Sequence, residues 1–198
     1  HGHTYPGATA PFGAVQLSPD TRVGNWDACA GYHYNDTTLR GFSHTQLSGT
    51  GCIDLGDILF RPTTQEPSFT NEFFYSPANF SHQDEMASAG YYSVLLKDEG
   101  IKAELTATPH VGMHRYTYLT GNLAAVIVDM AHSLDNEYIY EAELEKTADN
   151  EITGMRRTRG WTDNQYIYFV ARFSKSFQTV EVVKNKKKVP INTKLTGT

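Results

Sequence analysis

The stretch Tyr92-Ser93-Val94-Leu95-Leu96-Lys97-Asp98-Glu99-Gly100-Ile101-Lys102-Ala103-Glu104-Leu105-Thr106-Ala107-Thr108 decides the fold. Tyr92, Val94 and Leu96 fall on one face of a strand. After a two-residue link, Glu99-Gly100, Ile101, Ala103, Leu105 and Ala107 alternate with Lys102, Glu104, Thr106 and Thr108. Successive strand side chains point to opposite faces, so a period of two on both sides of an X-Gly pair predicts an antiparallel hairpin. Working outward, Val111–Tyr118 and Leu123–Met130 read as strands, the second nearly all apolar and so expected at a sheet centre. Tyr138–Lys146 alternates again, a turn at Ala148-Asp149-Asn150 leads into Glu151–Arg157, and Tyr166–Phe173 pairs with Phe177–Lys184. No helical period exceeds two turns. The expectation is an all-β, antiparallel β-sandwich forming one domain over 1–198, with its main strands in 90–184 and a long loop-rich N-terminal segment in 1–62.

Composition excludes several alternatives. The 198 residues are 39% hydrophobic, 12% aromatic and 20% charged, which is globular and neither disordered, collagenous nor coiled-coil. Leu123–Val128 is the longest apolar run, far short of a membrane span. A formal net charge of -5 argues against a nucleic-acid partner. The cluster Lys184-Asn185-Lys186-Lys187-Lys188 reads as a solvated turn.

The distribution along the chain says more. The first lysine is Lys97 and the first glutamate is Glu66, although both types normally fill solvated surface. Residues 1–62 hold nine of the 16 Gly, four of the eight His, both Cys and five Asp. Such a front fits loops that face a ligand or partner, or else a coil-rich flank packed on the core. The segment Asn25-Trp26-Asp27-Ala28-Cys29-Ala30-Gly31-Tyr32-His33-Tyr34 brings aromatics, a carboxylate and an imidazole together. Sugars are bound by such sets: a ring stacks on the C–H face while polar groups take the hydroxyls. Trp26 is therefore either an exposed platform or a core cap, with Asp27 and His33 as companions. Gly41 to Asp57 is denser still and includes His44, Thr45 and a Ser48-Gly49-Thr50-Gly51 turn without the lysine of a phosphate loop. Asp54 and Asp57 read first as turn formers. Cys29 and Cys52 are one disulfide or two buried thiols. His1 and His3 would chelate copper if His1 were a mature N-terminus. The opening His1-Gly2-His3 reads as a processed form or part of something longer. Because the front holds Asp but no Glu to act as general acid, no catalytic residue and no metal ligand is assigned, and the chemistry is expected outside this chain.

Tyr5-Pro6-Gly7-Ala8, Pro11–Thr21, Gly31-Tyr32-His33-Tyr34 and Gly41–Asp57 closely resemble the N-terminal domain of glycoside hydrolase family 92, the bacterial α-mannosidases. Weaker echoes follow at Glu104–Thr108, Val111–Tyr116, Trp161 and Tyr166–Phe177, so the resemblance spans nearly the whole chain. It implies a supersandwich-like domain joined to a C-terminal (α/α) catalytic domain that this chain lacks. It further implies calcium-dependent, inverting, exo-acting cleavage of mannose-containing glycans, with the acid, base and most calcium ligands in that absent domain. The implied location is periplasmic or secreted, and the implied process is N-glycan degradation. By resemblance Trp26 supplies a platform near the scissile bond of α-1,2 linkages, and Asp27, His33, His44 and Thr45 complete a substrate-binding set. Gln46 departs from the His common in the family, and His110 from the Arg. The fragment is expected to be inactive alone. The alternative is a stand-alone carbohydrate-binding β-sandwich module, with a copper oxidase as a third reading.

Overall fold

The computed structural model describes residues 2–66, 76–121, 123–135 and 137–191, and the backbone of 195–196. It is all-β, built from antiparallel sheets, as the alternation indicates. The chain divides into two compact units, His1–Ser68 with Tyr75–Asn136, and Phe69–Phe74 with Glu137–Thr198.

The first unit contains β1 (Ala8–Thr9), β2 (Gln16–Asp20), β3 (Thr38–Leu39), β4 (Gly41–Ser43), β5 (Leu59–Thr63), β6 (Ala78–Asn79), β7 (Glu85–Ser88), β8 (Tyr91–Leu96), β9 (Ile101–Ala107), β10 (Gly112–Tyr118) and β11 (Ala125–Asp129). One sheet runs β1-β2-β4-β5-β11, a second β10-β9-β8-β7, and β3 pairs with β6. Leu17 and Phe42 from the first sheet meet Tyr92, Val94, Leu96, Ile101, Ala103 and Leu105 from the second in one core, which gives the sandwich its two layers. The glycine-rich front thus supplies β1, β2, β4 and most of β5, joined by long loops, and β11 completes that layer from residues 125–129.

The deciding hairpin is present, with Leu96 opposite Ile101, but its turn has four residues, Lys97–Gly100, rather than two. The longer turn lets Glu99 point inward, where it is buried and accepts from Arg61 Nη2 at 3.0 Å, Thr64 N at 2.7 Å and Thr64 Oγ1 at 2.8 Å. The expected central strand is also different. Only Ala125–Asp129 is extended and it lies at a sheet edge, whereas β5 is buried along its whole length. Sequence hides β5 because Arg61 and Pro62 interrupt its apolar run, and Arg61 is tolerated there through Glu99.

The second unit holds β12 (Tyr138–Ala148), β13 (Glu151–Arg159), β14 (Gln165–Arg172), β15 (Val182–Lys184), β16 (Lys187–Val189) and β17 (Leu195–Thr196). Its sheet runs β14-β13-β12-β17. A register shift between Ile139 and Glu141 leaves Tyr140 as a bulge, which breaks the continuous alternation expected for that strand. One face then carries the buried Ala142, Ile152, Arg156 and Thr158. The basic cluster is the solvated turn expected, a β15–β16 hairpin in which Asn185 and Lys186 both take positive φ. The remainder of the expected strand Phe177–Lys184 is not extended before Val182.

Candidate functional site

Several loops of the first unit meet at the 3-10 turn Trp26–Ala28. Asn25 caps it, its Oδ1 accepting from Asp27 N at 2.9 Å, as short polar residues do at helix starts. Cys29 Sγ donates to Trp26 O at 3.0 Å and lies 3.2 Å from His3 Nδ1. The His3 ring meets the indole edge-on with centroids 6.5 Å apart. Residues 2–3 are in turn tied to two other loops: Gly2 O accepts from Ala30 N at 3.0 Å and His3 O from Gly49 N at 2.5 Å. Gly2 must be glycine, because a Cβ would fall 1.7 Å from Asp27 O. The outcome is a backbone-fixed turn that leaves Trp26 63% exposed, with Asp27 exposed beside it. The indole is exposed and is not a core cap. Both cysteines are free thiols, and burial pushes the Cys29 thiol up.

Beneath the turn lies a polar core. Asp20 is fully buried, with Oδ1 accepting from Gln46 Nε2 at 3.0 Å and Oδ2 2.8 Å from His132 Nε2. Gln46 Nε2 also reaches Ser43 Oγ at 2.5 Å. Gly31 covers this cluster at φ +80°, and a Cβ there would sit 2.5 Å from Asp20 Oδ1. His33 is buried; its N donates to Thr21 Oγ1 at 2.9 Å, and its Nδ1 accepts from Asn35 N at 3.2 Å. Thr45 Oγ1 donates to the fully buried Asp57 at 2.5 Å and accepts from Asp57 N at 2.8 Å. Asp57 therefore closes the loop that carries Thr45, beyond the turn role read from sequence. Tyr34, exposed, stacks on His82 with centroids 4.1 Å apart. Glu85 anchors that corner by accepting from Tyr32 OH at 2.9 Å and Tyr92 OH at 2.7 Å.

His44 belongs to a directed chain of hydrogen bonds. Its Nδ1 is 2.7 Å from Ile58 O, and a carbonyl only accepts, so Nδ1 carries a proton; burial disfavours a second proton, which makes Nε2 an acceptor. His114 Nε2, 3.0 Å away, must then donate to it, which leaves His114 Nδ1 to accept from Tyr116 OH at 2.7 Å. Both rings are neutral in this arrangement. Burial holds the His44 imidazole below its ordinary range, and burial together with the neighbouring His44 holds His114 well below it. Burial likewise pushes the Tyr116 hydroxyl well up.

Of the five residues read from sequence, Trp26 and Asp27 thus face solvent, while His33, His44 and Thr45 are buried or partly buried and bonded within their own loops. Asp20, His114 and His132 form as much of the cluster, and no local pattern marks them. His132 meets Asp20 across 112 residues of chain. Among the described residues no group of three or more His, Cys, Asp or Glu side chains is disposed to hold a metal ion. The copper reading needs His1, which lies outside the described residues. Among the described residues, no helix is long and apolar enough to cross a membrane.

Comparison with known proteins adds identity to this geometry. The family model described as the glycosyl hydrolase family 92 N-terminal domain matches residues 1–198. A family GH92 alpha-mannosidase from Bacteroides thetaiotaomicron, solved in complex with mannoimidazole, is 39% identical at a TM-score of 0.91, over 100% of this chain and 27% of that one. A second GH92 glycosyl hydrolase structure is 25% identical at a TM-score of 0.80, over 99% of this chain and 28% of its own. A protein of Arthroderma benhamiae described as an uncharacterized secreted glycosidase is 26% identical over 146 residues, 68% of this chain and 19% of that protein. The chain therefore spans about a quarter of the solved relatives and a smaller share of the curated one.

Proposed function

The chain belongs to the glycosyl hydrolase family 92 N-terminal domains, and on that premise we propose that it forms the glycan-facing N-terminal part of an inverting exo-α-mannosidase. The observation that carries this is the 39% identity, over the whole chain, to an alpha-mannosidase solved with mannoimidazole. The exposed, backbone-fixed Trp26 supports it chemically. An indole held rigid loses little freedom on binding and offers its face to the C–H side of a pyranose, while Asp27 accepts from sugar hydroxyls.

Inversion requires a protonated carboxyl and a carboxylate base roughly 6.5–9.5 Å apart with water between them. Both are assigned to the portion of the protein beyond this chain, as are the calcium ligands. The secreted description of the fungal relative supports export, and we place this protein in the periplasm or outside a bacterial cell, acting on N-glycans. The test compares the full-length protein with residues 1–198 alone, each incubated with α-1,2-mannobiose. Release of mannose of inverted anomeric configuration by the full-length protein only is the expected result. Turnover by the isolated chain, or none by either, overturns the reading.

A further inference from the structure

One turn of the first unit breaks the rules of its own backbone. Gly13 N donates to Ala10 O at 3.0 Å, which closes a four-residue turn over Ala10-Pro11-Phe12-Gly13. Proline presets the first central position, and Phe12 follows it at φ +58°. A turn with proline first and a left-handed residue second favours glycine or asparagine at that second place. A bulky side chain there is a steric outlier. Phe12 gains no burial in return, because its side chain is fully exposed. Local rules broken without a gain inside the chain mark positions kept for function.

The turn abuts a second one. Ala14 N and Val15 N donate to Pro109 O at 2.7 and 3.3 Å, and a Cβ on Gly13 would lie 3.1 Å from Pro109 Cα. That second turn leads into β10, and its Val111 and the strand's Met113 are exposed, as are Pro11 and Pro109. Residues 10–13 and 109–113 include no carboxylate, lysine or arginine, and His110 is their one ionisable side chain. A glycan needs donors and acceptors beside the ring, a cation needs carboxylates, and an anion needs basic groups. A phenyl ring among Val, Met and Pro offers none of these. Aromatic and methionine side chains without charge are instead what the centre of a protein–protein interface is made of. The alpha-mannosidase solved with mannoimidazole is matched over 27% of its length, so most of such a protein lies outside the matched part. A surface on the same polypeptide is presented at an effective concentration of roughly millimolar, which a second copy in dilute solution does not reach.

We propose that the Phe12 ring, with Val111 and Met113 beside it, is the anchor by which this domain packs on an apolar surface of the rest of the same polypeptide. The inference rests on the proposed reading of the chain as the N-terminal part of a longer protein, and on nothing about its sugar. The test is oxidation of the full-length protein by dilute hydrogen peroxide, which converts an accessible methionine thioether to the sulfoxide and releases water. Peptide mass spectrometry gives the Met113 rate relative to that in the urea-unfolded protein. Met113 is 63% exposed in this chain, so without docking it should react within about twofold of the unfolded rate. Docking should slow it roughly tenfold or more, since the centre of an interface excludes solvent. Phe12→Gly should abolish that protection and Phe12→Leu should retain it. Glycine suits the left-handed position, so Phe12→Gly keeps the turn and its effect reports the ring alone. Met113 reacting at the unfolded rate, or protection that survives Phe12→Gly, would overturn the proposal. So would protection that fades on dilution, which belongs to a second copy, or that appears only with soluble mannan, which belongs to a glycan surface. Met113 protected in a protein without mannosidase activity would leave this inference standing while the proposed function falls, and an active mannosidase with Met113 freely oxidised would do the reverse.

Discussion

Replacing His114 with Phe should expose how the imidazole chain contributes to stability and to its pH dependence. The ring sits edge-on to Phe60 with centroids 5.3 Å apart, so a phenyl group fits the same aromatic surroundings. What disappears is hydrogen bonding on both sides. His44 Nε2 loses its donor at 3.0 Å and Tyr116 OH its acceptor at 2.7 Å. An orphaned buried polar group costs roughly 1–3 kcal/mol. Two such groups, partly relieved by water at a half-buried site, give a loss of roughly 2–4 kcal/mol at pH 7.5.

The pH dependence follows from the same geometry. Both imidazoles are held below their ordinary value of 6.5 in the folded protein, so the unfolded chain binds more protons in acid. Their contribution is fully present above about pH 6.5 and is lost as the pH falls toward the lowered folded values. The slope approaches about 1.4 kcal/mol per pH unit for each ring that stays unprotonated, and up to roughly 2.7 for the pair. His114→Phe keeps only the His44 share, so its acid slope should be roughly half that of the parent. Urea unfolding at pH 7.5, 6.5 and 5.5, followed by fluorescence, measures both effects. Equal slopes in parent and variant would refute the chain of neutral imidazoles, whatever the loss at pH 7.5.

Other perturbations follow from single contacts. Glu99→Ala removes the partner of the fully buried Arg61, which costs roughly 3–5 kcal/mol and should lower the melting temperature by about 10 °C at 2–4 °C per kcal/mol; a shift below 2 °C would contradict the buried pair. Gly31→Ala forces a Cβ to 2.5 Å from Asp20 Oδ1 at φ +80°, so calorimetry should show a clear loss of stability, and an unchanged melt would contradict the packing described. A maleimide should label Cys52 well before the buried Cys29, both as free thiols; equal rates in mass spectrometry would contradict this.

The parts of this molecule legible in sequence are those where one physical signal acts alone. The period of two in Tyr92–Ala107 specifies the β8–β9 pairing, because nothing competes with the alternation of buried and solvated faces. The signal misleads where a polar residue is buried with a partner. Arg61 disguises β5, and Glu99, taken as a link residue, turns inward to meet it. Leu123–Val128 misleads in the other direction, since its apolarity suits an edge strand here as well as a central one. At the candidate site the exposed Trp26 stood out because no apolar pattern surrounds it. Asp20, His114 and His132 did not, because their contacts join residues 70 to 112 positions apart. The bulge at Tyr140 was hidden for a similar reason: it depends on the register with β13, and not on the strand's own residues.

The central claim is that Trp26 forms part of a mannoside site while contributing little to the fold. Its most direct test is the kinetics of the full-length protein and its Trp26→Ala variant on α-1,2-mannobiose, alongside their melting curves. The account predicts kcat/KM lower by roughly 10–100-fold, about 1.4–2.7 kcal/mol of transition-state binding, with the melting temperature within 1–2 °C of the parent, as roughly expected for a surface change. An unchanged kcat/KM, or a variant that loses activity only because it unfolds, would contradict it.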